Sequence, residues 1–327
     1  MFVKRFLIFG TLSLLPAFSQ DADSFATWRE AIAETQVPAE GCFHVTYPST
    51  VWEQVECKVA HPNLHPHPVF RDLAGGQVTG NGHDYVAEAA GLISKTLGTF
   101  PSVTGVTSEK GVGVPAFGDG GILGPNEYTL QVNTNFTGTT SACAGHTGCT
   151  VWQQFIYSPD YEVKGEAAVF MQYWLIGWGS SSCPRTWGSD GGGDCYKNSS
   201  FVAAPDMEIT SLGSLSLSGA ALAGGNDTVV FNNGTTAYTV NASDSVVDIS
   251  TVWKESEFNV VGNAGGSRAD FNKGSSITVK VALTDGSTLA PTCLANAGST
   301  GETNNLNLGS CSATGGSTPY IQFIESN

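Results

Sequence analysis

Charge is scarce in this chain. Asp, Glu, Lys and Arg make up 13% of its 327 residues, and the basic side chains are the scarcer kind, 14 against 29 acidic. A formal net charge of −15 leaves no basic face for a phosphate backbone or an anionic bilayer, which argues against nucleic acid and membrane as partners. Long apolar runs are missing too. Past the opening twenty residues, no segment is apolar enough to cross a bilayer as a helix. There is no long helical periodicity, no internal repeat, no Cys-x-x-Cys, and no GxSxG, HExxH, Walker or dinucleotide-binding pattern. A serine triad, a zinc hydrolase and a nucleotide-binding enzyme therefore lack their usual sequence support.

What is present points to an exported β protein. Lys4 and Arg5 precede a short apolar run, and small residues follow at Ala17 and Ser19. This reads as a signal peptide over residues 1–20, cut near Ser19 or Gln20, so a secreted, extracellular protein is expected. Export favours disulfides, and eight cysteines can all pair. Their closeness in sequence suggests Cys42–Cys57, Cys143–Cys149, Cys183–Cys195 and Cys293–Cys311. His146 lies between two of them, but three ligands without a fourth do not make a zinc site, and no metal or other cofactor is expected. Five Asn-X-Ser/Thr sequences, at Asn135, Asn198, Asn226, Asn233 and Asn241, could carry glycans.

Residues 21–80 read as irregular, an N-terminal extension or pro-segment. A short helix is expected over Ser24–Ala33, and His61-Pro-Asn-Leu-His-Pro-His-Pro68 reads as an extended linker. From about residue 81 short strands follow one another, separated by Gly, Asn and Asp turn signals. Strands are expected at 126–135, 150–157, 207–212, 214–222, 228–232, 236–240, 246–253, 257–261, 276–284 and 320–324. A dozen strands and 40 glycines imply an all-β fold, one antiparallel sandwich or barrel over 81–327. A monomer is expected.

Candidate chemistry starts from Glu166-Ala-Ala-Val-Phe-Met-Gln-Tyr-Trp-Leu-Ile-Gly-Trp178. Strand alternation puts Phe170, Gln172, Trp174 and Ile176 on one face. Gln172 is then a lone amide among bulky apolar neighbours, which must be hydrogen-bonded or face a cleft. In Thr251-Val-Trp-Lys-Glu-Ser-Glu-Phe-Asn-Val-Val261, alternation puts Trp253, Glu255 and Glu257 on one face. That pattern suits either a solvated rim or a concave face lined by acids and aromatics.

The order of these elements resembles the glutamic peptidases, or eqolisins. That family shows a Trp-bearing strand, a strand with the catalytic glutamine, a β meander, and a strand with the catalytic glutamate. Here the matching stretches are Val151-Trp-Gln-Gln-Phe-Ile156, Ala168-Val-Phe-Met-Gln172, and Trp253-Lys-Glu-Ser-Glu-Phe258 followed by Arg268-Ala-Asp-Phe-Asn272, all within 126–285. The resemblance implies a concanavalin A-like (jelly-roll) sandwich and a secreted endopeptidase that acts on polypeptides at acid pH. It implies Glu257, with Glu255 beside it, as the general base, and Gln172 as the oxyanion partner. Trp152, Gln154, Trp174 and Trp253 would line the substrate cleft. Two departures stand. Gln153-Gln154-Phe155 replaces the family's glycine-rich turn. If Glu257-Phe258 matches the family's first Glu and aromatic, Val261 falls where the catalytic Glu belongs. The alternative from the same fold is a carbohydrate-binding or polysaccharide-cleaving module, with a glycan as partner.

Overall fold

The computed structural model describes residues 18–60, 77–114, 121–179, 182–190, 192–296, 298 and 300–327. The 61–68 linker and most of the expected signal peptide lie outside the described residues. Two large antiparallel sheets face each other. The first has nine strands, and its centre runs Thr236–Ser243, Asn226–Asn232, Ser216–Ala221, Lys95–Thr104, Ser276–Thr284 and Tyr320–Ser326. The second has ten strands. Its centre runs Cys195–Asn198, Glu166–Ile176, Thr150–Val163, Tyr128–Thr134, Glu255–Gly262 and Val86–Glu88. A four-stranded sheet, Thr303–Asn304, Arg268–Phe271, Glu109–Val112 and Gly124–Pro125, lies beside them. The architecture is the β-sandwich expected from the strand spacing. Among the described residues no helix is long and apolar enough to cross a membrane.

Alternation builds the core between the two sheets. Val151, Phe155, Tyr157, Val169, Met171, Tyr173, Leu175 and Phe258 face it from the second sheet, and Leu217, Val229, Phe231, Val279 and Val281 are among those facing it from the first. Two glycines set how closely the sheets approach. A Cβ on Gly98 would stand 2.1 Å from the Phe258 ring, and one on Gly219 would stand 2.3 Å from that of Phe155. Aromatic rings occupy the volume those side chains would need, so the glycines are packing devices.

The described residues before 81 hold more regular structure than their sequence suggests. A helix spans Phe18–Glu34, and Trp28 and Ile32, one turn apart, pack with Phe43, Val45, Trp52 and Val230 in a second apolar cluster. The strand Gly41–Thr46 pairs with Thr236–Ser243 inside the first sheet, and Lys58–Val59 pairs with Ser200–Pro205 at the second. Strands of two to six residues carry too little alternation to be legible. Elsewhere, 207–212 and 246–253 are not strands but contain 3₁₀ turns, at Ile209–Ser214, Asp244–Val246 and Ile249–Thr251. The strand expected to stop before Ser158-Pro159-Asp160 runs on to Val163, with Asp160 at φ 48° and a register shift across the next hairpin. Such an irregularity lets proline sit in a strand. All four expected disulfides are formed.

Candidate functional site

The second sheet turns its other face away from the core, and a row of polar side chains crosses it. Successive registers pair Glu257 with Asn133, Asn133 with Gln154, Gln154 with Gln172, and Gln172 with Asn198. One line perpendicular to five strands thus carries a carboxyl and four amides. Directly opposed residues in a sheet point to the same side, so this line is what the register makes of five separate strands.

The row is hydrogen-bonded from end to end. Asn133 Nδ2 donates to Glu257 Oε2 at 3.0 Å. Gln154 Nε2 donates to Asn133 Oδ1 and to Gln131 Oε1, both at 3.1 Å. Trp174 Nε1 donates to Gln154 Oε1 at 3.2 Å and Gln172 Oε1 at 2.9 Å. Gln172 Nε2 donates to Asn198 Oδ1 at 2.8 Å, and Asn198 Nδ2 to the Tyr161 hydroxyl at 3.0 Å. Gln172 is therefore satisfied, as a buried amide must be.

Gln172 and Glu257 do not meet. They share a face, but two strands lie between them, a separation of about 14 Å at the usual strand spacing. The amides nearest Glu257 are those of Asn133 and, behind it, Gln154. The sequence pairing of Gln172 with Glu257 took the polar residue of each strand without the strand order, which only pairing fixes. Trp152 and Trp174 lie on the row's face with Ile176 and Tyr196, and Phe136 stacks on Trp152 at 5.1 Å. Trp253 does not join them. It precedes the strand, after the 3₁₀ turn, and lies in the main core stacked on Phe155 at 5.6 Å. Strand alternation does not extend to a residue outside the strand.

At the Glu257 end the row becomes an acid cluster supplied by distant segments. Thr300 Oγ1 donates to Glu257 Oε1 at 2.9 Å. Burial pushes Glu302 up to about 7, against backbone and Gln131 hydrogen bonds that draw it down. Burial likewise lifts Glu325 to about 8, although Asn259 and Asn304 both donate to it, at 2.7 and 3.0 Å. Asp84 is held well above the usual carboxylate range, first by burial and then by the charge of Glu257. Sequence reasoning missed Asp84, Thr300 and Glu302, which no local pattern marks. Gln131 and Asn133 were visible as alternate polar positions in Tyr128–Thr134.

From Glu257 to Gln172 the row is closed to solvent, while Asn198 at its far end is half-buried. Glu257 is 1% exposed and Gln154 and Gln172 are 0% exposed. Asn81 and Thr300 belong to the cover over its acid end: Asn81 Nδ2 donates to the Glu302 carbonyl at 3.1 Å, and the Thr300 amide to the Gly80 carbonyl at 3.3 Å. The open space nearby is a groove of about 460 Å³ lined by Thr79, Asn135, Phe136, Thr137, Lys254 and Glu255. Glu255 is half-buried there, and burial raises its carboxyl above the usual range. Among the described residues no group of three or more His, Cys, Asp or Glu could hold a metal ion.

No protein-family model and no curated protein matches the chain. Solved structures do. Scytalido-glutamic peptidase with a peptide-based transition state analog is 13% identical, covering 75% of this chain and 98% of that one, with a TM-score of 0.31. SCP-B, a member of the eqolisin family of peptidases in complex with the tripeptide Ala-Ile-His, is 12% identical over the same shares, with a TM-score of 0.30. The likeness is distant and lies in the β-sandwich alone; it assigns no residue of the row.

Proposed function

We propose that the chain is a secreted, acid-acting endopeptidase of glutamic type, with Glu257 as its general base. The observation that carries this reading is the unbroken row: one carboxyl whose neighbouring amides are fixed in place by one another. Glu257 takes a proton from water, which attacks the scissile carbonyl. The Asn133 and Gln154 amides are the donors for the developing oxyanion, each turning to it by giving up a hydrogen bond within the row, Asn133 that to Glu257 and Gln154 that to Gln131 or Asn133. Gln172, through Trp174, holds Gln154 in place. Glu255, Phe136 and the groove form the approach for a polypeptide, and Trp152 and Trp174 wall the site. Four disulfides suit an exported protein.

Substrate reaches Glu257 only if the cover near Asn81 and Thr300 moves. A cut within 61–80 would free one side of it. Loss of the whole of 21–80 would also strip the strand Gly41–Thr46 and the Cys42–Cys57 link from the sandwich, so the pro-segment is better drawn as the stretch after residue 60.

The test is cleavage of a denatured protein by the secreted chain between pH 3 and pH 7, before and after limited proteolysis. Acid-dependent cleavage, lost in Glu257→Gln and indifferent to chelator, is expected. Burial of the row from Glu257 to Gln172 favours a second reading, a non-catalytic module, and counts against a polysaccharide-directed one. Trp152, Trp174 and Trp253 are each 0% exposed and offer no ring for a sugar to stack on. No proteolysis at any pH, before or after limited proteolysis, would establish the non-catalytic reading instead.

A further inference from the structure

Asp84 is the least explained buried group beside the row. It is 0% exposed, and its carboxyl oxygens make no hydrogen bond of good geometry, only loose approaches to Glu257 and the Asn81 backbone. A buried carboxyl so loosely held is costly, and an apolar side chain would serve packing better. Asp84 lies two residues before Val86, the register partner of Glu257, which brings the two carboxyl groups together. Both oxygens of Glu257 accept, from Asn133 and from Thr300. Burial, and after it the neighbouring Glu257, favour the protonated form of Asp84. The groups facing Asp84 are Glu257, Glu325 from the C-terminal strand, and the Asn81 backbone of its own segment; Glu302 faces Glu257.

We infer that Asp84 and Glu257 form a catalytic carboxyl pair in which Asp84 is the general acid for the leaving group. Glu257 removes one proton from water as the water oxygen bonds to the carbonyl carbon. Asp84 then protonates the nitrogen as the C–N bond breaks, leaving acid and amine products. The proton on Glu257 passes to Asp84, and the pair is restored without any other reactant.

This inference rests on the peptidase reading, so its test includes an arm that needs no turnover. In the full chain with ¹³C-labelled carboxyl groups, the Asp84 resonance is identified by its loss in Asp84→Asn. Glu257→Gln is expected to move the Asp84 titration midpoint down, because a neighbouring negative charge is gone. A midpoint that does not move overturns the pair, whatever the activity. In the kinetic arm, Asp84→Asn is expected to lower kcat by about 100-fold and to abolish the alkaline limb of the pH profile. A packing role would instead lower the rate by one factor at every pH. Should Asp84→Asn fold poorly, Asp84→Glu, which keeps the acid, is expected to retain the alkaline limb. A pH profile of unchanged shape in Asp84→Asn overturns the inference and leaves Glu257 as the base. A wild-type chain that cleaves nothing, cut or uncut, removes the peptidase reading and Asp84's catalytic role with it.

Discussion

Gln153 and Gln154 are neighbours on one strand, equally buried, and face opposite ways. Gln153 points into the core, where Nε2 donates to Asp227 Oδ2 at 2.8 Å. Its own Oε1 and Asp227 Oδ1 have no partner among the described residues. Burial and the charge of Asp244 push Asp227 well above the usual carboxylate range. Gln154 points to the row, where its nitrogen has two acceptors and its oxygen has a donor. The core side holds a pair with an unpartnered oxygen on each member, beside the buried Asp244 carboxyl. The outer side holds a closed network that extends over five strands. A fully connected network fixes its members' positions, whereas an isolated pair is only tolerated. That difference is the physical ground for seeking function on the outer face.

The contrast can be broken in order of expected effect. Glu257→Gln keeps the row's shape and removes its one carboxylate. Under the peptidase reading it lowers kcat by about 10²- to 10⁴-fold, read in the cleavage assay, with little change in melting temperature. Gln154→Leu comes next. It leaves the Gln131 and Asn133 oxygens without their donor and should cost about 1–3 kcal/mol per stranded group, measured by denaturant unfolding. If Gln153→Leu proves as costly as Gln154→Leu, the two faces do not differ as described.

Stability should also fall with rising pH. Glu302 and Glu325 are fully buried and lifted to about 7 and about 8, and Glu109 to about 8, mainly by burial. An acid whose folded value is raised stabilises the fold fully below its unfolded value. That contribution is lost as pH climbs through the folded value. The melting temperature should therefore be highest below about pH 4.5 and decline through pH 7 to 8. Asp227→Asn should flatten part of that slope, since an amide needs no proton to stay neutral, and a slope unchanged by it would show that the core pair is not one of its sources. The smallest effect belongs to the surface. Lys58 and Glu166 form a largely exposed ion pair, and Lys58→Ala should cost no more than about 1 kcal/mol.

The amino-acid pattern alone determined the class of fold, because turn residues and period-two alternation are local signals. It determined the disulfides as well, since each links cysteines separated by 18 residues or fewer. It placed Gln172 and Trp174 on one face, and Glu255 and Glu257 together on another strand. Tertiary structure decided the rest. It set two strands between Gln172 and Glu257, and it sent Trp253 into the core because a 3₁₀ turn, not a strand, precedes Lys254. It brought Asp84 and Thr300 to Glu257 from segments 173 and 43 residues away in the numbering. Strand order and loop return are products of whole-chain packing, and no window of sequence short enough to show periodicity contains them.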